Sequence, residues 1–363
     1  MWLAVLIYEL FIVFLSAFLA WHYPISNIGK LILWGLFFIA FNGLAILIYF
    51  THETCCMAKP IVLVASFLLA FVSYLAILFI INDLLLIIPA YGSLFFKCRP
   101  CFLFILTVMS GLIAFYAVWN SSLITTTKYQ LQSNKNVSVR LAFLSDLHVA
   151  PTHMSMAKIN SIFDILKNEK PDYVILGGDI IEMRPDYFME RTIIESFRRF
   201  NTHNTMLAVV GNHEYYGGQI LDNVSAMEQA GIIVLKDAVR MAPEHNIAFI
   251  GRDDRTNPHR LPLDRLTKNI PNDIYQIVID HDPHSIPQTM ETTADLQLSG
   301  HTHAGQIFPF NLLVRYLFVN AYGYKRLRNL DTIVSSGVGI WGPHLRIGTR
   351  NEVVIVDINK NNP

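Results

Sequence analysis

Hydrophobic patterning divides this chain into two unlike parts. Four long apolar runs come first, at residues 2–21, 31–51, 61–81 and 101–120, the third extending toward 90. Each approaches or exceeds the roughly 20 residues a helix needs to cross about 30 Å of hydrocarbon. The pattern therefore predicts a transmembrane region of four helices over residues 1–126. A cleaved signal peptide accounts for at most the first run, which lacks a basic flank. Residues 127–136 are polar and read as a linker leaving the bilayer.

From residue 137 the runs shorten and the period changes. Strands are predicted at 139–144, 173–176 and 206–210, and helices over 155–168 and 187–200. In the first of these helices Ile159, Ile162, Phe163 and Leu166 share one face. Strand-like runs follow at 232–235, 248–250, 276–280, 296–298, 332–334 and 353–357. This alternation predicts an α/β domain over 137–358, and its strand-rich second half predicts two sheets rather than one.

Composition sharpens the division. Residues 1–126 hold only Lys30, Lys59, Lys97 and Arg99 against Glu9, Glu53 and Asp83. The formal net charge of +0 is an average over a lipid-soluble half and a soluble half. The soluble half has none of the basic excess expected of a nucleic-acid-binding protein. Its orientation is not legible in charge: with four spans, Lys59, Lys128 and Lys135 oppose Lys30, Lys97 and Arg99, and the positive-inside rule returns a tie. All four cysteines (Cys55, Cys56, Cys98, Cys101) lie in the first half, so the domain offers a metal only His, Asp, Glu and Asn. Cys98 and Cys101 have redox or zinc spacing, but beside a membrane segment such a pair is more often incidental.

Polar clusters follow several predicted strands: Asp146 and His148 after the first, Gly178-Asp179 after the second, and Gly211-Asn212-His213-Glu214 after the third. His281 follows another, and Gly300-His301-Thr302-His303 closes the series. Side chains past strand ends in an α/β layout converge on one edge. Nitrogen-rich donors with carboxylates and no thiolate suit Mn²⁺, Fe²⁺ or Zn²⁺. Two such ions can clamp a phosphoryl group during in-line displacement.

In this order the motifs resemble the calcineurin-like metallophosphoesterase superfamily, over about 220 residues. The stretch 295–303 and the late Ser335–Pro343 segment are similar to its membrane-attached branch. The resemblance implies two β-sheets flanked by helices, with two divalent metals, Mn²⁺ before Fe²⁺ or Zn²⁺, at one edge. Carried over by residue, Asp146, His148, Asp179 and His303 would hold one metal. Asp179, Asn212, His281 and His301 would hold the other, with Asp179 bridging, and His213 would be the catalytic imidazole near the leaving-group oxygen. The family's common Gly-Asp-X-X-Asp reads here Gly178-Asp179-Ile180-Ile181-Glu182, its outer acid longer by one methylene.

His284 and Arg346, each close to a motif, are candidates for contact with a substrate phosphate, as is His344. His22, His52, His153, His203, His245 and His259 belong to no constellation. Residues 307–319 are unusually apolar for a segment leaving such an edge, and Lys325, Arg326 and Arg328 follow. This predicts membrane contact, with the basic residues as headgroup partners.

The expectation is a membrane-bound hydrolase of phosphoester or pyrophosphate bonds in a multi-pass protein of a bacterial inner membrane. Its phosphorylated substrate is expected to be lipid-linked; superfamily resemblance offers UDP-2,3-diacylglucosamine as one candidate. The alternatives are a broad phosphodiesterase or phosphomonoesterase of soluble or envelope esters, and a non-catalytic sensor or transport module. Loss of the bridging Asp or of the Asn-His pair would favour the last.

Overall fold

The computed structural model describes residues 15–23, 25–36, 58–201 and 205–361. They fall into two units: residues up to 120 with 343–345, and residues 121–342 with 346 onward.

In the first unit the apolar sequence closes into helices, where every backbone group is satisfied within its own segment. Residues 15–22 and 27–36 are helical, followed by Ala58–Leu85, Pro89–Lys97 and Arg99–Ser122. Lys59–Leu85 and Arg99–Ser122 are long and apolar enough to cross a membrane, the only two such helices among the described residues. They carry the third and fourth apolar runs; most of the first two lies outside the described residues. The third run stops at Leu85, short of Pro89. Cys98 and Cys101 are free and exposed at the start of the last helix.

Among its described residues the second unit holds twelve strands: β1 (Ile124–Ser133), β2 (Ser138–Leu144), β3 (Tyr173–Gly177), β4 (Thr205–Val209), β5 (Ile233–Val234), β6 (Ala238–Ala242), β7 (Ile247–Gly251), β8 (Tyr275–Ile279), β9 (Leu296–Ser299), β10 (Gly323–Leu327), β11 (Leu330–Val334) and β12 (Asn351–Lys360). They form two six-stranded sheets, β1-β12-β2-β3-β4-β5 and β10-β11-β9-β8-β7-β6. β2, β3, β4 and β5 run parallel, as do β7, β8, β9 and β11. Each sheet also carries antiparallel pairs: β12 with β2, β10 with β11, and β6 with β7.

Alternation along β2 builds the layers, because successive side chains leave opposite faces. Val139, Leu141 and Phe143 meet Phe249, Ile277, Ile279 and Leu298 of the other sheet. Ala142 and Leu144 face Ile159, Ile162, Phe163 and Leu166 of the helix Met156–Glu169. Ser155 caps that helix by accepting from Lys158 N at 3.4 Å. The outer face of the second sheet packs Ile250, Val278 and Val334 on Leu263 and Ile286 of two short helices.

One expectation is corrected here. The segment 127–136 is not a linker: β1 runs through it, parallel to β12 with Thr127 opposite Val354, and buries Leu131 between the sheets. Its polar residues alternate with partly buried ones, as on an edge strand with one face to water. The domain therefore begins near Ile124 rather than at 137.

Candidate metal centre

Five parallel strands deliver the candidate residues to a common edge. β2 ends at Leu144 two residues before Asp146, β3 at Gly177 before Asp179, β4 at Val209 before Asn212, β8 at Ile279 before His281, and β9 at Ser299 before His301 and His303. The chain turns sharply at each end. Asp146, His148, Asp179, His301 and His303 all have left-handed backbone, with φ from 47° to 70°. For residues other than glycine this conformation costs about 1 kcal/mol each. Such strain persists where surrounding structure over-determines it. Gly178, at φ 89°, permits a close turn: a Cβ there would lie 2.6 Å from His281 Nδ1.

The side chains then meet. Asp146, His148 and His303 form one cluster, Asp179, His281 and His301 another, and His148, Asp179 and His213 a third that overlaps both, their ligand atoms within 4.8 Å of one another in each. Asp179 Oδ2 lies 3.1 Å from His281 Nε2 and 4.0 Å from His148 Nε2, so its carboxylate stands between the clusters. Asn212 joins the second group through Oδ1, 2.9 Å from His301 Nδ1. His303 Nε2 is 3.4 Å from Asp146 Oδ1 and 3.2 Å from His148 Nε2.

The donor set fits divalent metals on two counts. His281 donates from Nδ1 to Gly177 O at 2.8 Å, which turns Nε2 toward Asp179. That Nε2 is buried with no hydrogen-bond partner, as a ligand atom would be before a metal binds. His148 likewise directs Nδ1 to Glu182 Oε2 at 2.6 Å and keeps Nε2 for the cluster.

Electrostatics divide the candidate ligands: burial lowers the His281 pKa, but the charge and hydrogen bond of Asp179 more than reverse it and hold that ring well above the ordinary imidazole value, so a metal there would have to displace its proton. Burial raises the Asp179 pKa, but His281, His213 and His148 outweigh it and hold the carboxyl well below its usual range. Burial pulls His301 and His303 below the ordinary imidazole value, helped by His281 for the first and by His148 and Arg346 for the second. Both therefore favour the neutral form that binds metal.

His213 belongs to the short helix Asn212–Tyr216 and gives its backbone N–H to Asp179 Oδ1 at 2.9 Å. Its Nδ1 reaches Glu182 Oε1 at 2.9 Å. Burial lowers the His213 pKa, but the Glu182 hydrogen bond and the charges of Asp179, Glu182 and Glu214 more than reverse it, and the net shift is upward.

Two supporting acids were not assigned a role from sequence. Glu182 holds His148 and His213 together, one carboxylate oxygen to each. Glu214 is wholly buried and accepts from the backbone of Asp179, Ile180, Ile181 and Gly211 at 2.6–3.1 Å, joining the loops after β3 and β4. Burial and the Asp179 charge push its pKa up to about 7, against the pull of those amides. Both residues stand in motifs visible in the sequence, Gly-Asp-X-X-Glu and Gly-Asn-His-Glu.

Arg346 is corrected. It is 0% exposed, and its guanidinium donates to His303 O (3.1 Å), Ser336 O (2.7 Å), Gly339 O (2.8 Å) and Asn351 Oδ1 (2.9 Å). It pins the His303 turn from behind and presents nothing to a substrate. His284 is exposed, with Nδ1 held by Asp282 Oδ1 at 2.8 Å and its ring 4.2 Å from that of Phe318. His344 is grouped with the first unit and His153 is held by Gly342 O at 3.0 Å; His52 and His203 lie outside the described residues.

Residues 139–305 match the family model for calcineurin-like phosphoesterase. The chain is similar to an uncharacterized metallophosphoesterase of Campylobacter jejuni, 28% identical over 62% of this chain and 60% of that protein. One from Aquifex aeolicus is 29% identical over 68% of this chain and 96% of its own length. A transmembrane protein with metallophosphoesterase domain from Danio rerio is 27% identical over 59% of this chain. The match spans 52% of the zebrafish protein, so more than a third of it and of the Campylobacter protein falls outside the comparison. The family is binuclear and metal-dependent, and three overlapping His/Asp clusters that share His148 and Asp179 stand at the edge where the motifs converge. Residues 139–305 thus form a calcineurin-like phosphoesterase domain, and the relatives it matches are named metallophosphoesterases.

Proposed function

We propose that the domain hydrolyses a phosphoester or pyrophosphate bond of a lipid-linked substrate, with UDP-2,3-diacylglucosamine as the concrete candidate. The observation that carries the hydrolytic reading is the pair of clusters on either side of Asp179. Asp146, His148, Asp179 and His303 would hold one ion, and Asp179, Asn212, His281 and His301 the other. When bound, two divalent ions supply positive charge to a phosphoryl group and lower the pKa of water, with Mn²⁺ the first candidate and Fe²⁺ or Zn²⁺ the alternatives. His213 supplies the proton chemistry. With Nδ1 engaged by Glu182, its Nε2 is the atom left to donate to the phosphate or to the departing oxygen. Glu182 keeps that imidazole oriented and favours its charged form. His284, fixed by Asp282 and exposed, is the remaining candidate for a substrate contact.

The lipid-linked part of the reading draws on the two helices of spanning length in the same chain. It goes with a multi-pass protein of four spans in a bacterial inner membrane, in keeping with the four apolar runs and the bacterial relatives. The test uses the full chain purified in detergent, stripped with chelator and given Mn²⁺. Release of UMP from UDP-2,3-diacylglucosamine, outpacing hydrolysis of bis-p-nitrophenyl phosphate, is the expected result. Hydrolysis of the generic ester alone would remove the lipid-linked substrate, and no turnover with any metal in folded protein would contradict the hydrolytic reading.

A further inference from the structure

The helix Phe310–Leu317, which follows the His301-Thr302-His303 turn, buries none of its residues. Phe310, Leu312, Leu313 and Leu317 are each more than half exposed, and Tyr316 is 88% exposed. A contiguous apolar surface of this kind marks an interaction site. At eight residues the helix is far too short to span a bilayer. Asn311 turns toward the domain, its Oδ1 buried and its Nδ2 3.0 Å from where a Cβ on Gly348 would lie, whereas Arg315 is exposed.

Charge selects the partner. No acidic residue occurs between Asp295 and Asp331, whereas Arg315, Lys325, Arg326 and Arg328 all do. Arg326 is paired with Asp331 at 2.5 Å and Arg328 with Glu291 at 3.1 Å, which takes two of the three expected headgroup partners out of play. Arg315 and Lys325 have no carboxylate partner among the described residues; Lys325 Nζ donates only to Val319 O at 2.8 Å. A second copy packed on this face about a two-fold axis would bring like charges together. Anionic lipid would neutralise them. The chain also carries its own helices of spanning length, and a single residue, Leu123, separates the helix Arg99–Ser122 from β1.

The helix is braced on the metal turn. A Cβ on Gly305 would fall 2.5 Å from Asn311 Cα, so the turn and the helix are in backbone contact. Beyond the helix, the Phe318 ring sits 4.2 Å from that of His284 and 6.5 Å from that of His301.

We infer that the helix Phe310–Leu317 lies in the interface of an anionic lipid bilayer. Its apolar side chains enter the acyl boundary, Arg315 and Lys325 meet the phosphates, and the metal edge of the domain is seated against the membrane surface. The inference is independent of the substrate: an enzyme acting on a soluble ester would be seated in the same way.

The test places a nitroxide at Leu313→Cys or Tyr316→Cys in the full chain, its four native cysteines replaced by serine, in phosphatidylglycerol nanodiscs. A label at Arg240→Cys on the exposed edge strand β6 is the water-facing control, and each labelled chain is first shown to retain Mn²⁺-dependent hydrolysis of bis-p-nitrophenyl phosphate. Labels at 313 and 316 should be relaxed by oxygen several-fold more than by a water-soluble nickel chelate, the reverse of position 240, and nickel access should rise in phosphatidylcholine alone. Nickel access equal to that at position 240 would overturn the inference, as would inaccessibility to both reagents, the sign of a protein partner. Accessibility unchanged by the loss of anionic lipid would overturn the role of Arg315 and Lys325. Should one labelled chain fail to fold, the other gives the same reading.

Discussion

Glu182 gives one oxygen to His148, a candidate metal ligand, and the other to His213, the imidazole proposed for proton transfer. Its removal should therefore act on both. In Glu182→Gln the raised His213 pKa falls. With His213 acting in its protonated form, as proposed, activity is present below that pKa and lost as pH rises through it. The alkaline limb of the pH–rate profile should move to lower pH, and an unmoved limb would mean that another group sets it. His213→Ala should slow turnover by about 10²-fold or more with both metals retained, read by metal analysis of the purified variant. Arg346→Met leaves the carbonyls of His303, Ser336 and Gly339 without their donor. At about 1 kcal/mol or more for each orphaned buried acceptor, stability should drop by about 3 kcal/mol, visible in denaturant unfolding. A substrate-contacting Arg346 would instead raise KM and leave the unfolding midpoint alone. At this scale the sequence carried much: His281, His301 and the other candidate ligands stand directly past apolar runs, where strand ends place them. It could not carry burial. Arg346 reads as a surface cation near a Gly-Pro turn, and only packing reveals that it points inward.

Elements were legible in proportion to how much of them is buried. β3 and β4, apolar along nearly their whole length, fall within a residue or two of expectation. The strands that escaped, β1, β6 and β10, all lie at sheet edges, where one side of the ladder is open and polar residues such as Thr125, Arg240 and Lys325 intrude. β1 was hidden further by following a membrane segment, which invites a linker reading. Its contribution is measurable. A domain begun at Val137 lacks β1, uncovers the edge of β12 and loses Leu131 from between the sheets. It should unfold at lower denaturant than one begun at Leu123, or aggregate through the exposed edge. Equal midpoints would mean that β1 is dispensable and that the earlier boundary serves.

At the scale of the whole molecule, composition alone separated a lipid-soluble half from a soluble one, and the two units follow that division with the boundary moved from 126 to about 120. What composition could not supply is the convergence of the site. Asp146 and His303 are 157 positions apart in sequence and come within 3.4 Å only because β2 and β9 end at the same edge of two facing sheets. The account rests on that edge holding two metals that act together. The most direct measurement is metal stoichiometry against turnover: full-length protein stripped by chelator, titrated with Mn²⁺, and assayed for bound metal and for hydrolysis of bis-p-nitrophenyl phosphate on the same samples. Two ions per chain with activity rising as the second binds is the predicted result, with Asp179→Ala holding at most one ion and showing no turnover. Full activity in the stripped protein, or in Asp179→Ala, would contradict it.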